Sequence, residues 1–377
     1  MSEPARVLHV VGGMARGGAE TMIMNLYRHV DRSRLQFDFL CTRPDEQSYD
    51  REIRELGGRI LRIDSPAEVG HWAYVQQMKR MIKTRGPFRA VHAHTLFNTG
   101  LVSAVAKHAG VPIRVSHSHS TSDIANASFK GAVYHWVMRR LILHYATHLV
   151  TCGAEAGRYL FGDQAYDRGR VIRLRNGLDL AVYEGLDRAV IVKRYSREFG
   201  FEDSDVVLGN VAGFRELKNH PFLIKLMLAL LEENPNYKMV LVGDGDTRTA
   251  IEALVAGHGL QSKVRFTGIR ADIPELMTYF DVFLLPSLYE GLPVTIIEAQ
   301  AAGTACVLSS TVTKEVDLGL GLTKHIKLDD FSDWSRAIRD VLIISNMPSL
   351  VDRFRTIREH GYDVRMNVED LYEIYGV

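Results

Sequence analysis

Short apolar runs recur along the chain, separated by amphipathic stretches. Val7-Leu-His-Val-Val11 is the first, and Gln36–Cys41, Arg59–Ile63, Ala90–Ala93, Ile113–Ser116, His148–Cys152 and Val171–Leu174 follow. Each is short and bounded by turn or charged residues, which reads as a buried strand. Between the first two, Ala19–Val30 places Met22, Leu26 and Val30 on one helical face. Gln47–Leu56, His71–Arg85, Asn98–His108, Phe129–Tyr145 and Gly153–Phe161 continue the helical spacing. Continuous apolar strands alternating with helices predict an α/β domain around a parallel sheet. The alternation resumes at Val206–Val211 and runs through Lys238–Val242, Val264–Arg270, Asp281–Leu285 and Ala305–Ser309. From Ser332 the pattern is helical to the end, with Asp363–Tyr375 as a last helix. The charged stretch Glu184–Phe199 reads as the connection between halves. The expected organisation is two doubly wound, Rossmann-like domains, 1–183 and 184–360, followed by a helical segment, 361–377.

Composition changes this picture little. Of 377 residues, 46% are hydrophobic and 24% charged, enough for two sizeable cores. A formal net charge of +1 gives no global field to recruit nucleic acid. Cys41, Cys152 and Cys306 are odd in number and far apart, so they fit small core residues in a reducing compartment better than a disulfide framework or a zinc knuckle. The run after Arg6 is too short for a signal peptide, and no stretch approaches the roughly 18 apolar residues of a membrane span. A soluble, cytoplasmic protein is expected.

Open α/β sheets bind ligands beyond the carboxyl ends of their strands, so chemistry is sought in the loops there. After the first strand comes Gly12-Gly-Met-Ala-Arg-Gly17-Gly18, opening a helix. The spacing is neither G-x-G-x-x-G nor a Walker loop, which disfavours a dinucleotide or P-loop site. It reads either as a tight turn or as a place where backbone amides approach a ligand. His94 follows the fourth strand, and His117-Ser-His119-Ser-Thr-Ser-Asp123 follows the fifth. If both strands are parallel these histidines share one edge. Zinc is one explanation, but no Cys or Glu completes a set nearby.

In the second half, Gly213-Phe-Arg215-Glu-Leu-Lys218-Asn-His220 puts cations before a helix that starts at Pro221, an arrangement suited to an anion. Gly243-Asp-Gly-Asp246 contains an Asp-x-Asp that would hold a divalent metal in some enzymes, but a glycine turn opening a helix accounts for it more simply. The densest stretch is Pro286-Ser-Leu-Tyr-Glu290-Gly-Leu-Pro293-Val-Thr-Ile-Ile-Glu298, ending near Gly303. Pro286 stops a strand and Pro293 sits where a helix begins. Glu290 is then in the loop and Glu298 in the helix, with seven residues between them. One such Glu is ordinarily a solvated face. The two together straddle a helix N-terminus, whose free N–H groups favour phosphate.

This order of strand, Glu-Gly-Leu-Pro and second Glu resembles the E-x7-E signature of glycosyltransferase family four, retaining nucleotide-sugar enzymes of the GT-B architecture. The resemblance spans nearly the whole chain and is densest from Val206 to Ser309. It implies two facing Rossmann-like domains whose closure over a cleft excludes water from the donor, with the last helix, Asp363–Tyr375 within 361–377, crossing back to the first domain. It implies transfer of a sugar from a nucleoside-diphosphate sugar, UDP-linked, to a hydroxyl acceptor, without a metal or other cofactor. Carried over residue by residue, Lys218 would hold the diphosphate. Arg215 would do so only if the loop shifts, because the usual Gly-Arg pair is here Gly-Phe-Arg. Amides around Gly291, Leu292 and Val294 would add to the clamp. Glu298 would accept from the ribose hydroxyls and Glu290 from the sugar hydroxyls. His119, with His117 as fallback, would orient the sugar. Gly17 and Gly18 would face the donor phosphates and acceptor. Ile269 and Arg270 would sit near the base.

The acceptor implied is a lipid-linked glycan of cell-surface polysaccharide assembly, or else a small molecule such as an aminocyclitol. Lys79, Arg80, Lys83 and Arg85, and then Tyr134, Trp136, Arg139 and Arg140, read first as solvated or core-facing helix positions. The alternative is peripheral contact with an anionic membrane surface. A GT-B nucleotide-sugar 2-epimerase and a non-catalytic nucleotide-sugar-binding subunit are the rival readings.

Overall fold

The computed structural model describes residues 3–120 and 129–377; part of the loop after the fifth strand, 121–123, lies outside them. The chain forms two compact units, Met1–Asp179 together with Gly361–Val377, and Leu180–His360. The division falls slightly before 183/184 because Leu180–Tyr183 forms a 3-10 turn with Leu180 and Tyr183 buried, packed on helices of the second unit.

In unit 1 the strands are β1 (Ala5–Val11), β2 (Leu35–Cys41), β3 (Arg59–Arg62), β4 (Ala90–Ala93), β5 (Ile113–Ser118), β6 (His148–Thr151) and β7 (Val171–Arg173). They pair in parallel in the order β3-β2-β1-β4-β5-β6-β7. Unit 2 contains β8 (Val206–Val211), β9 (Tyr237–Val242), β10 (Val264–Gly268), β11 (Val282–Leu285), β12 (Ala305–Ser309) and β13 (Thr323–Ile326). Their order, again all parallel, is β10-β9-β8-β11-β12-β13. Each sheet winds outward in both directions from a central pair, β1/β4 and β8/β11. Between the members of such a pair the connections diverge to opposite faces, leaving a crevice at the carboxyl ends.

The strands read as unbroken apolar runs because both faces are covered; β2 is buried at every position. On one face of the unit 1 sheet, Ile23, Leu26, Phe37 and Phe39 pack with Val368, Leu371 and Tyr375 of the helix Val364–Tyr375. On the other, Leu8, Val10 and Val91 meet Met78 and Val102 from the helices Pro66–Arg85 and Thr99–His108. The chain's last segment therefore completes the first unit's core. It is fastened there by a parallel bridge between Leu178 and Asp363, with Leu178 N–H donating to Tyr362 O at 2.7 Å and Val364 N–H to Leu178 O at 3.0 Å.

Several elements differ from the sequence pattern for identifiable reasons. The third helix starts at Pro66, not His71: Glu68 accepts from the Ser65 N–H at 2.9 Å, and Gly70 at φ 77 kinks the helix without ending it. The charged connection is itself a helix, Arg188–Phe199, capped by Asp187 and closed by Gly200 in the left-handed region. The helical tail divides into Phe331–Leu342, Leu350–Glu359 and Val364–Tyr375. The half-buried edge strand β13 was not foreseen. No described helix is long and apolar enough to cross a membrane.

Candidate active site

In unit 2 the loops after β8 and β11 leave the central pair side by side. Three links join them. Leu288 N–H donates to Leu217 O at 2.8 Å, Asn219 Nδ2 donates to Pro286 O at 3.2 Å, and Lys218 pairs with Glu290. Asn219 can do this because it takes the left-handed conformation, φ 55, at the end of the 3-10 turn Glu216–Lys218. His220 then enters the helix buried and stacked on Phe214, ring centroids 4.1 Å apart.

Glu290 is held from one side. Its Oε1 accepts from both Lys218 Nζ and Ser287 Oγ, the latter at 2.7 Å. Ser287 is fixed in turn by Thr311 Oγ1, which donates to Ser287 O at 2.7 Å. Glu290 Oε2 makes no hydrogen bond among the described residues. The helix Val294–Ala302 begins just beyond, with Pro293 at φ −71 as its cap residue and no side chain capping it. Early amides of this helix thus remain for a ligand. Gly303, at φ 85, ends the helix. Glu298, inside it, is half-buried, but its carboxyl is enclosed, and burial pushes it up to about 7.

The turn Gly243-Asp-Gly-Asp246 abuts the same loop. A Cβ on Gly243 would lie 2.1 Å from Ala212 O, and one on Gly245 2.5 Å from Phe214 O; both glycines have positive φ. The turn therefore serves close packing under the cationic loop. Asp244 accepts from the Gly245 N–H and reaches Arg248 at 3.5 Å, and among the described residues the side chains grouped closely enough to share a metal ion are histidines of unit 1.

The remaining sequence candidates divide. Arg215 is exposed, one 3-10 turn before Lys218, with no charged partner among the described residues. Ile269 is exposed at the turn after β10. Arg270 is engaged: its guanidinium binds Asp272 at 2.6 and 2.9 Å and Glu198 at 2.6 Å. Gly291 and Leu292 lie in the half-buried loop leading to Pro293, and Val294 opens the helix.

In unit 1, Gly17 caps the helix Gly18–His29. A Cβ on Gly17 would meet the Glu20 carboxylate at 2.3 Å, whereas one on Gly18 would meet nothing within 4 Å. Beside this loop the parallel register of β1, β4 and β5 gathers five histidines: His9, His92, His94, His117 and His119. His94, His117 and His119 were read from the sequence; His9 and His92 were missed. The signal was present, since His92-x-His94 and His117-x-His119 each put two side chains on one face of a strand. Burial pushes His9 down to about 3 and His119 to about 4, and holds His92, His94 and His117 well below the ordinary range.

Two Rossmann-like sheets, with a Lys–Glu pair at the switch point of one, fit the architecture of the GT-B glycosyltransferase class. The chain belongs to that class by descent: residues 192–318 match the family described as glycosyl transferases group 1, and residues 17–177 match the glycosyl transferase 4-like domain. EpsF of Bacillus subtilis (strain 168), named as a glycosyltransferase, is 44% identical over all of this chain and 97% of its own length. The UDP-Gal:alpha-D-GlcNAc-diphosphoundecaprenol alpha-1,3-galactosyltransferase of Escherichia coli is 24% identical over 95% of this chain and 96% of its own. Among solved structures, Anabaena Alr3699/HepE, in complex with UDP or UDP-glucose, has a TM-score of 0.77 at 17% identity, covering 98% of this chain and 99% of that one. This protein is a glycosyltransferase.

Proposed function

We propose that the enzyme transfers a hexosyl group from a UDP-sugar to a hydroxyl of a lipid-linked glycan in cell-surface polysaccharide assembly, with retention at the anomeric carbon. The observation that carries this reading is the Lys218–Ser287–Glu290 arrangement, which leaves one carboxylate oxygen available beside an uncapped helix start. The name of the Escherichia coli galactosyltransferase supports the substrate class. In this scheme the bond from the anomeric carbon to the diphosphate oxygen breaks and the bond to the acceptor oxygen forms on the same face. The acceptor proton passes to the departing diphosphate. Lys218, Arg215 and the amides of Gly291, Leu292 and Val294 offset the charge that builds there. Glu290 holds sugar hydroxyls, Glu298 the ribose, and Ile269 an apolar edge for the base. His119 is kept for a sugar hydroxyl and Gly17-Gly18 for close backbone approach, both from the family resemblance. No metal or other cofactor is invoked.

UDP release from a UDP-sugar should depend on added acceptor, and fresh product should carry the donor's anomeric configuration by NMR. Turnover of the sugar without acceptor would favour the epimerase, inversion would exclude retention, and binding with no turnover would favour a non-catalytic subunit.

One surface favours peripheral membrane contact from the cytoplasmic side. On the helix Phe129–Tyr145, Tyr134 and Arg139 turn inward: Tyr134 donates to Asn98 at 2.7 Å and Arg139 to Tyr159 O and Leu160 O. Val133, Trp136 and Val137 are instead 46%, 59% and 37% exposed, an apolar stripe at helical spacing, with Arg140 over the Trp136 ring at 5.0 Å. Trp72 is 78% exposed on the helix Pro66–Arg85, which ends in Lys83 and Arg85. Indole and basic side chains suit a headgroup boundary. Co-sedimentation with vesicles containing phosphatidylglycerol is expected to fall roughly tenfold in Trp136→Ala/Arg140→Ala, given about 1 kcal/mol per basic contact plus the lost ring. Equal binding of both proteins would remove this reading.

A further inference from the structure

β3 is the outer strand of the unit 1 sheet, paired on one side only, with β2. In a parallel ladder successive residues turn their N–H and C=O groups to opposite sides. Ile63 N–H donates to Cys41 O at 3.1 Å, so residues 61 and 63 face β2. Ile60 and Arg62 face outward, and their backbone groups have no hydrogen-bond partner among the described residues. Along this edge runs a groove of about 630 Å³. Its wall is one stripe of the helix Pro66–Arg85: Gln77, Arg80, Met81 and Thr84, at the i, i+3, i+4, i+7 spacing of a single face. The helix runs back along the strand, since Asp64 N–H donates to Gln77 Oε1 at 3.1 Å at one end and Arg59 Nη2 to Arg85 O at 3.0 Å at the other. A strand edge facing a helix in this way can take up an extended peptide as an added strand.

The side chains of the groove select the charge of such a peptide. Arg62 is paired with Asp50 at 2.5 Å and Arg59 with Asp38 at 2.6 Å. Arg80 and Arg85 are exposed, line the groove and have no carboxylate partner among the described residues. The groove's own acid, Asp64, stands at the Gln77 end and accepts from Gln77 Nε2 at 2.9 Å. Arg80 and Arg85 are five residues apart, about 7.5 Å along a helix axis. Alternate residues of an extended chain stand about 6.7 Å apart, so two acids at alternate positions match the two guanidinia. The same edge excludes a second copy: antiparallel pairing of 59–62 with itself sets Arg59 opposite Arg62, like charge against like. A lipid surface would meet a different face of the helix. Trp72, Lys79 and Lys83 share that face at i, i+7, i+11, and none of them lines the groove.

We propose that the outer edge of β3 and the facing stripe of the helix Pro66–Arg85 form a docking site for an extended acidic segment of a partner protein, added to the sheet as a further strand. The outward N–H and C=O groups of Ile60 and Arg62 supply the backbone pairing. Arg80 and Arg85 choose a segment with acids at alternate positions. The site belongs to unit 1 and stands independently of the sugar-transfer reading.

The test titrates the full chain into a fluorescein-labelled peptide, Glu-Val-Glu-Val-Glu-amide, read by fluorescence anisotropy. Roughly tenfold tighter binding than that of Lys-Val-Lys-Val-Lys-amide is expected. N-methylation of the valine amides and N-methylation of the glutamate amides should differ in effect roughly tenfold, because only one alternate set faces β3. Arg80→Glu/Arg85→Glu should weaken the acidic peptide roughly tenfold, the scale of two exposed ion pairs reversed. Lys79→Glu/Lys83→Glu makes the same change of charge on the neighbouring face and should leave binding within about threefold, a small fraction of one such pair. Circular dichroism checks the fold of each variant, and Arg80→Gln/Arg85→Gln serves if the reversal unfolds the helix. Equal binding of the two peptides overturns the proposal. So does equal weakening by the two methylations or by the two charge reversals, since charge alone would then account for binding. So does an Arg80→Glu/Arg85→Glu protein that keeps the acidic peptide but no longer sediments with phosphatidylglycerol vesicles, which would assign these arginines to a membrane.

Discussion

Glu290→Gln is expected to leave the fold intact and to lower turnover roughly 10²–10³-fold, the range seen when a positioned charge-stabilising group is lost. Gln keeps the size of the side chain and a hydrogen bond to Ser287, so the loop need not move. What it loses is the negative charge beside Lys218 and the second carboxylate oxygen, which makes no hydrogen bond among the described residues. Some stability is lost as well, because the Lys218 side chain is only 25% exposed and Glu290 12%, and neutralising one partner of a largely buried pair leaves the other charge uncompensated. A thermal melt and a UDP-release assay on the same sample separate the two effects. The double variant Lys218→Met/Glu290→Gln should be scarcely worse than the poorer single one, since the two side chains act as a unit. A Glu290→Gln enzyme retaining near wild-type kcat would remove the carboxylate from the mechanism.

Glu298→Gln is expected to weaken donor binding at pH 8 roughly 10- to 100-fold, the scale of hydrogen bonds to a charged acceptor. Ribose hydroxyls donate, so the ionised carboxylate is the binding form. With burial raising the empty site's carboxyl to about 7, wild-type affinity should fall as pH drops below 7, while the Gln variant stays flat. The sign for stability is opposite. A raised folded-state pKa gives stability that is complete below the ordinary carboxyl value of 4.5 and lost as pH rises through 7. Gln does not titrate and avoids that loss, so the ligand-free variant should melt higher at pH 8, by an amount corresponding to about 2–3 kcal/mol at most. Calorimetric titration with UDP from pH 5.5 to 8 checks the first expectation. Parallel pH slopes for the two proteins would mean that Glu298 does not face the nucleotide.

The Glu290–Glu298 segment was legible because local rules agree there. Pro286 ends a strand, Pro293 opens a helix, Gly303 closes it, and the two carboxylates fall where those boundaries put them. Lys218-Asn219 was legible for the same reason, with Asn tolerating the left-handed turn. What escaped depends on contacts distant in sequence. Nothing local in Ile269-Arg270 shows that Glu198, from another helix, joins Asp272 on the guanidinium. Nothing in Tyr134 and Arg139 shows which side of their helix meets Asn98 and the 159–160 carbonyls. His9 and His92 look like ordinary interior positions of apolar strands until the register of β1 on β4 sets them side by side. The tail read as uninterrupted helix because the break, 343–349, is brief and lies between two amphipathic helices.

The return of residues 361–377 to the first unit has a consequence for synthesis. A ribosome releases the chain from its amino end, so the first sheet emerges with one flank bare where Val368, Leu371 and Tyr375 will later sit. The whole of Leu180–His360 must be translated before that flank can be covered. A nascent chain spends this interval with an apolar face exposed to chaperones and proteases. A chain cut short before residue 361 holds the second unit complete and leaves the first unit open along that flank.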